Sequence, residues 1–203
     1  MAESLYPARI AGLLLAAGGG RRLGGQPKAL LSHRGRPLVE HAVRTLRAGG
    51  CGPVLVVLGA QADTVQEKAD LGGCPLVVNP DWQQGMGCSL RAGLRAAAAL
   101  ESPPDGLLVA LTDQPGIGPE AVARVLHAFT SPASLVMASY EGRRDHPVLI
   151  GSEHWKGVAA TAAGDQGARR YLREHSGRIT LVECADVADP ADIDTPEDLV
   201  RLD

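Results

Sequence analysis

The segment Leu13-Leu14-Leu15-Ala16-Ala17-Gly18-Gly19-Gly20-Arg21-Arg22-Leu23-Gly24-Gly25-Gln26-Pro27-Lys28 constrains this chain more than any other, because an apolar run passes directly into a glycine-rich, basic turn. The run over 10–17 is far shorter than the ~20 residues of a membrane-spanning helix and reads as a buried strand of a parallel sheet. Such a strand releases its chain at the crevice where open α/β sheets bind ligands. Glycines there let the backbone approach phosphate closely and present N–H groups, and Arg21, Arg22 and Lys28 add full positive charge. The turn matches neither familiar phosphate-binding pattern. A dinucleotide fingerprint requires glycine where Leu23 stands, and a P-loop requires lysine directly after Gly25, followed by serine or threonine, where Gln26-Pro27-Lys28 stands. Two readings remain: a nucleotide site of a third kind, or a structural turn that is merely basic.

Apolar runs and amphipathic segments alternate along the rest of the chain. Strands are expected at 54–58, 76–78, 107–111, 135–138, 146–150 and 179–182. Helices are expected at 37–48 with Pro37 in the first turn, 62–69, 89–100 with Ser89 as N-cap, 119–129, 166–175 and 196–202. This alternation predicts an α/β fold with helices on both faces of a mostly parallel sheet. With 203 residues the chain suits one domain, 1–203. A net charge of -3 gives no general attraction for nucleic acid or an anionic membrane, so any anion site must be local. An aromatic content of 3% argues against base-stacking platforms for nucleic acid. Cys51, Cys74, Cys88 and Cys184 form no C-x-x-C pair, which signals neither zinc nor a disulfide framework. Reduced thiols, no signal-like start and no membrane segment together predict a cytoplasmic protein.

Chemistry collects where the predicted strands end. Thr112-Asp113-Gln114-Pro115 follows an apolar strand, and Asp113 there can hold Mg²⁺, a hard cation that takes one or two carboxylates with waters and substrate phosphates. Asp113 can equally cap its own turn. Asp192 and Asp194 sit on one side of an extended segment, candidates for the second half of that metal site. The alternative is a plain helix start, with Thr195 as N-cap and Pro196 at the first helical position. Asn79-Pro80-Asp81-Trp82-Gln83-Gln84-Gly85-Met86-Gly87-Cys88-Ser89 follows a strand and opens a helix, so its amides and Asn79 can read a base or ribose, or the glycines merely punctuate. The loops Gly142-Arg143-Arg144-Asp145-His146 and Gly164-Asp165-Gln166-Gly167-Ala168-Arg169-Arg170 can form a pocket for a second anionic substrate, although His146 alone is a weak candidate. Five loops with glycine, carboxylate or guanidinium thus converge on strand ends, which favours a site.

From about residue 10 to residue 200 these motifs, in this order, resemble those of the MobA-like nucleotidyltransferases, and most closely the molybdenum cofactor cytidylyltransferases. The resemblance rests on Leu15-Ala16-Ala17-Gly18-x-x-x-Arg22-Leu23-Gly24 with Lys28, Asn79 with Gly85-Met86-Gly87-x-Ser89-Leu90, and Asp113-Gln114-Pro115. His146-Pro147-Val148-Leu149, Gly164-Asp165-Gln166-Gly167-Ala168-Arg169 and Asp192-Ile193-Asp194-Thr195-Pro196-Glu197-Asp198-Leu199 complete it. Gly20 and Leu23 depart from the serine and methionine usual in the family, and Gly20 removes one side-chain phosphate contact. The resemblance implies a three-layer α/β/α Rossmann-like fold and Mg²⁺-dependent transfer of a nucleoside monophosphate onto a phosphorylated acceptor, with release of pyrophosphate. It assigns Arg22 and Lys28 to the β- and γ-phosphates, and Asp113 with Asp192 and Asp194 to the metal. Leu15, Ala16, Ala17, Gly18, Gly19, Gly20, Asn79, Gly85 and Ser89 fall to the nucleotide, and His146, Asp165 and Arg169 to the acceptor. Ala17, glycine in the guanylyl branch, points to CTP as donor and a molybdopterin-type, phosphorylated pterin as acceptor, with a molybdoenzyme or chaperone as partner. A guanylyltransferase of the same pathway, a sugar-phosphate nucleotidyltransferase and a non-catalytic nucleotide-binding accessory protein are the alternatives.

Overall fold

Parallel strands buried on both faces need near-continuous apolar sequence, and Ile10–Ala16 (β1) is buried at all seven positions. The computed structural model describes residues 9–202, so the ends of the expected 1–203 unit, 1–8 and 203, lie outside the described residues. After β1 come a two-residue-per-strand hairpin, β2 (Ser32–His33) and β3 (Arg36–Pro37), then α1 (Leu38–Ala48), β4 (Val54–Leu58), α2 (Ala62–Lys68) and β5 (Leu76–Val78). The chain continues through α3 (Met86–Ala98), β6 (Gly106–Leu111), α4 (Pro119–His127), β7 (Leu135–Tyr140), β8 (Arg143–Gly151), α5 (Trp155–Thr161), α6 (Arg169–Glu174) and β9 (Ile179–Glu183) to a 3₁₀ segment, Pro196–Leu202.

Seven strands form one sheet in the order β5-β4-β1-β6-β8-β7-β9. β8 alone runs against its neighbours, antiparallel to β6 and β7. Alternate strand residues feed two cores. Leu14, Val56 and Leu108 pack with Val39 and Val43 of α1, Val65 of α2 and Val122 of α4. Leu13, Leu15, Val57 and Val109 pack with Leu90 and Leu94 of α3, Val158 of α5 and Leu172 of α6. Helices therefore cover both faces, the three-layer α/β/α arrangement that the alternation predicts. A third, small core of Leu31, Leu38, Ile193 and Leu202, with Leu23 against it, ties the glycine-rich loop to the acidic C-terminal segment.

Several boundaries differ from those read in the sequence. α3 begins at Met86, with Gly85 as its N-cap at φ 102°, so Ser89 lies inside the helix rather than capping it. Pro37 precedes α1 and pairs with Ser32 in the hairpin. The helix expected over 166–175 is shortened to α6 because Gly167, at φ 51°, breaks the run. At 196–202 the segment is 3₁₀, and the Asp198 carboxylate accepts from the Asp194 and Thr195 N–H groups and the Thr195 hydroxyl, so Asp198 is the capping residue and Thr195 is capped. β8 starts at Arg143, earlier than expected: Met137 pairs with Val148 and Ala138 with Asp145, leaving His146-Pro147 as an extra pair of residues in the ladder. Proline has no N–H to give a ladder, and a bulge is where a sheet accommodates it.

Candidate active site

The carboxyl ends of β1, β4, β5 and β6 share one edge, and because β8 is antiparallel its amino end, carrying Asp145 and His146, lies on the same edge. Two adjoining cavities open there. A cleft of about 520 Å³ is lined by Ala17 to Arg22 and Lys28 on one side, by Gly85, Met86 and Ser89 on another, and by Asp113, Asp192 and Asp194 on a third. Asp165 and Arg169 close it, and Leu15 forms part of its floor. The second cavity, about 370 Å³, is largely apolar, with Leu90, Val109, Met137 and Ile150 inside and Arg144, Asp145 and His146 at its rim. Leu15, Met86 and Arg169 border both cavities.

The glycine-rich loop closes on itself: the Gly20 carbonyl accepts from the Leu23 N–H at 2.8 Å and the Gly25 N–H at 3.0 Å. Gly20 is left-handed at φ 57°, and a Cβ there would stand 2.0 Å from the Gln26 carbonyl oxygen. The departure from serine at this position is thus built into the loop's path. Gly18 has open space where a side chain would stand, while Gly19 and Gly59 are covered by Trp82, whose ring and Cβ lie within 3 Å of their would-be Cβ positions. Trp82 also lines the cleft. Nothing in its spacing singled it out, since a lone tryptophan between polar residues carries no pattern.

Charge is concentrated opposite the loop. Lys28 Nζ donates to Asp113 Oδ2 at 2.6 Å and also to Asp194 Oδ1. Arg22 lies farther out, with Nη1 3.9 Å from Asp194 Oδ2. Burial works against the Lys28 ammonium, but Asp113 and Asp194 outweigh it and hold its pKa above the ordinary lysine value. Asp192 lines the cleft outside this pair. Partial burial, then the charges of Asp113, Asp145 and Asp194, pushes its carboxyl up to about 6. Burial also acts to raise Asp145, yet hydrogen bonds from the His146 ring and backbone and from Gln114 hold it below the usual carboxylate range. The backbone fixes this geometry: the Ile193 N–H donates to the Asp113 carbonyl at 2.8 Å, which seats the acidic segment against the loop after β6.

The expected nucleotide and acceptor residues divide into those that face the cavities and those that support them. Ala16 is 5% exposed and packs into the core beneath the loop. Asn79 is also 5% exposed and donates to Ser89 Oγ at 3.0 Å and Cys88 Sγ at 3.1 Å, so it braces the loop rather than lining the cleft. His146 reaches the apolar cavity, Asp165 the cleft, and Arg169 both. Among the described residues no three His, Cys, Asp or Glu side chains converge as a metal-holding group. Asp113 and Asp194 do converge on one point, the Lys28 ammonium, so a positive charge already sits where their oxygens meet. A carboxylate pair, with phosphate and water oxygens completing the shell, suits a small hard cation.

This architecture has known counterparts. Residues 12–179 match the family model of the MobA-like NTP transferase domain. The chain is 43% identical over 200 residues to nicotine blue oxidoreductase of Paenarthrobacter nicotinovorans, covering 95% of this chain and 96% of that one. It is 31% identical over 202 residues to molybdenum cofactor guanylyltransferase of Cereibacter sphaeroides, covering 96% and 99%. Among solved structures, the Rv0371C complex with manganese from Mycobacterium tuberculosis H37Rv superposes with a TM-score of 0.77 at 28% identity, covering 96% of this chain and 98% of that one. The glycine-rich loop, the carboxylates at the strand ends and the mostly parallel sheet are thus those of a chain that belongs to the MobA-like NTP transferase family.

Proposed function

We propose that this protein transfers a nucleoside monophosphate from a nucleoside triphosphate to a phosphorylated acceptor, of the molybdopterin type, with release of pyrophosphate. The observation that carries the reading is the convergence of Lys28, Asp113 and Asp194, from three separate loops, opposite a glycine-rich turn in one cleft. An acceptor phosphate oxygen attacks the α-phosphorus in line while the bond to the bridging oxygen of pyrophosphate breaks. The protein's work is to align two anions that repel and to neutralise charge on the leaving group. Arg22, Lys28 and the loop amides hold the β- and γ-phosphates. Asp113 and Asp194 would hold Mg²⁺, which supplies Lewis-acid stabilisation of the α-phosphate charge. No general base is required, because the attacking phosphate is already ionised. The apolar cavity beside the cleft suits a flat heterocyclic acceptor, with Arg144, His146 and Arg169 toward its phosphate.

Two observations bear on the base. Ala17 lines the cleft and favours the smaller pyrimidine of CTP, since overpacking a fitted site costs about 1 to 3 kcal/mol. The relatives named as guanylyltransferases favour GTP. Competition between CTP and GTP for pyrophosphate release with a molybdopterin acceptor decides it. The cytidylyl reading expects CTP to win by about ten-fold or more, with the gap narrowed in Ala17→Gly. A preference for GTP moves the protein to the guanylyl branch.

A second reading rests on the 43% identity to a protein named as an oxidoreductase, and on the apolar cavity. In it the apolar cavity takes a flat organic acceptor, reduced by hydride from a hydride-donating nucleotide held in the cleft while solvent supplies the proton. Oxidation of such a donor with an aromatic acceptor, without pyrophosphate release from any triphosphate, would favour this reading.

A further inference from the structure

One buried side chain touches both halves of the site. Gln114 follows Asp113 directly and is 5% exposed. Its Nε2 donates to the Pro190 carbonyl at 2.9 Å and to Asp145 Oδ1 at 3.2 Å. Pro190 leads into the segment bearing Asp192 and Asp194, and Asp145 precedes His146 at the rim of the apolar cavity. Both partners only accept, so the amide has one orientation. That orientation leaves Oε1 buried with no hydrogen-bond partner. The two bonds donated by Nε2 therefore set how the amide sits between the two segments.

Backbone contacts make part of the same connection. The Ile193 N–H donates to the Asp113 carbonyl at 2.8 Å, and the Asp189 N–H to the Gly116 carbonyl at 3.2 Å. These two bonds stitch the acidic segment to the loop after β6 but do not reach β8. Gln114 does, through a carboxylate whose Oδ1 also accepts from the His146 backbone N–H at 2.7 Å.

We propose that Gln114 is a positioning residue whose amide locks the acidic segment 190–194 and the Asp145-His146 turn into one frame, so that the metal-side carboxylates and the acceptor cavity keep a fixed relation. The consequence for turnover rests on the nucleotidyltransferase reading. The mechanical coupling does not.

Hydrogen exchange read by mass spectrometry on the full chain tests the coupling without any substrate. Gln114→Met removes both donated bonds at similar volume, and Asp145→Ala breaks the link from the β8 side while leaving Gln114 in place. In Gln114→Met, amides in 190–194 and in 143–148 are both expected to exchange about ten-fold faster or more, with 54–58 unchanged. Asp145→Ala is expected to accelerate exchange in 190–194, a segment to which the Asp145 side chain is hydrogen-bonded through Gln114. Acceleration confined to the turn around each substitution overturns the proposal, and Asp145→Ala decides it alone if Gln114→Met does not fold. In turnover assays Gln114→Met should raise the acceptor KM or lower kcat by about ten-fold, with the affinity for Mn²⁺·CTP within about two-fold. A loss traced wholly to nucleotide affinity also overturns the proposal. If the parent releases no pyrophosphate, the functional reading fails while the exchange data still decide the coupling.

Discussion

Lys28 stands at the point where the cleft's chemistry and its electrostatics meet. Its ammonium neutralises Asp113 and Asp194, carboxylates 85 and 166 residues away in sequence. Each of the three was legible as a candidate, Lys28 in the basic turn that follows β1, Asp113 just past the end of β6 and Asp194 in the acidic segment before the last helical turn. Their ion pairing was not, because it depends on which loops the sheet order brings together. A charge-assisted contact to phosphate is worth about 1.5 to 3 kcal/mol, so Lys28→Ala should weaken nucleotide affinity by about ten-fold or more while the protein still folds. Isothermal titration with CTP and GTP checks this, and parent-like affinity for both would make the loop structural. Asp192 offers a pH signature. Its carboxyl titrates near 6 in the folded protein against 3.8 as the ordinary value, so folding favours the protonated form. That contribution is fully present below about pH 4 and is lost as pH rises through about 6. The melting temperature of the parent should therefore fall relative to Asp192→Asn between those values and hold a constant offset above them. A pH-independent difference would show that neither burial nor the neighbouring carboxylates raise the Asp192 carboxyl.

At the scale of elements, the loop before α3 and the loop before α6 interlock through glycine. A Cβ on Gly85 would stand 2.5 Å from the Gly164 carbonyl carbon and 2.6 Å from Asp165 Oδ1, and Gly85 sits at φ 102°. Gly87 is equally close to the Ala163 backbone, 2.6 Å from its nitrogen. These glycines read from the sequence as punctuation or as ligand approach. The structure shows that they also admit a second loop, which places Asp165 and Arg169 in the cleft. Gly85→Ala combines left-handed strain with a backbone clash and should destabilise the protein by about 1 to 3 kcal/mol, visible as a lowered melting temperature. An unchanged melting temperature would mean that the loops can separate freely. Long apolar runs made β1, β4 and β6 easy to read, whereas α5 escaped because seven residues with an internal glycine show little period. The start of β8 was misread because Pro147 resembles a strand boundary, while in the sheet it sits in a bulge.

For the whole molecule, the alternation of runs was enough to give three layers, since parallel strands need helices on both faces. What the pattern could not give is the division of the site into a polar cleft and an apolar cavity, because that depends on the antiparallel β8 bringing Asp145 and His146 to the edge where β6 delivers Asp113. On the nucleotidyltransferase reading, Asp113 and Asp194 at this edge would hold a divalent cation. Asp113→Asn preserves size and turn geometry but removes the charge, so it should lose some stability with the Lys28 ion pair, which Asp194 still partly neutralises, and still fold while activity collapses. The deciding measurement is pyrophosphate release from nucleoside triphosphate and molybdopterin, titrated with Mg²⁺ and Mn²⁺, for the parent and for Asp113→Asn. Strictly metal-dependent release is expected from the parent, and release lowered by about 100-fold or more in the variant. Metal-independent release, or an Asp113→Asn protein as active as the parent at low metal, would contradict that reading.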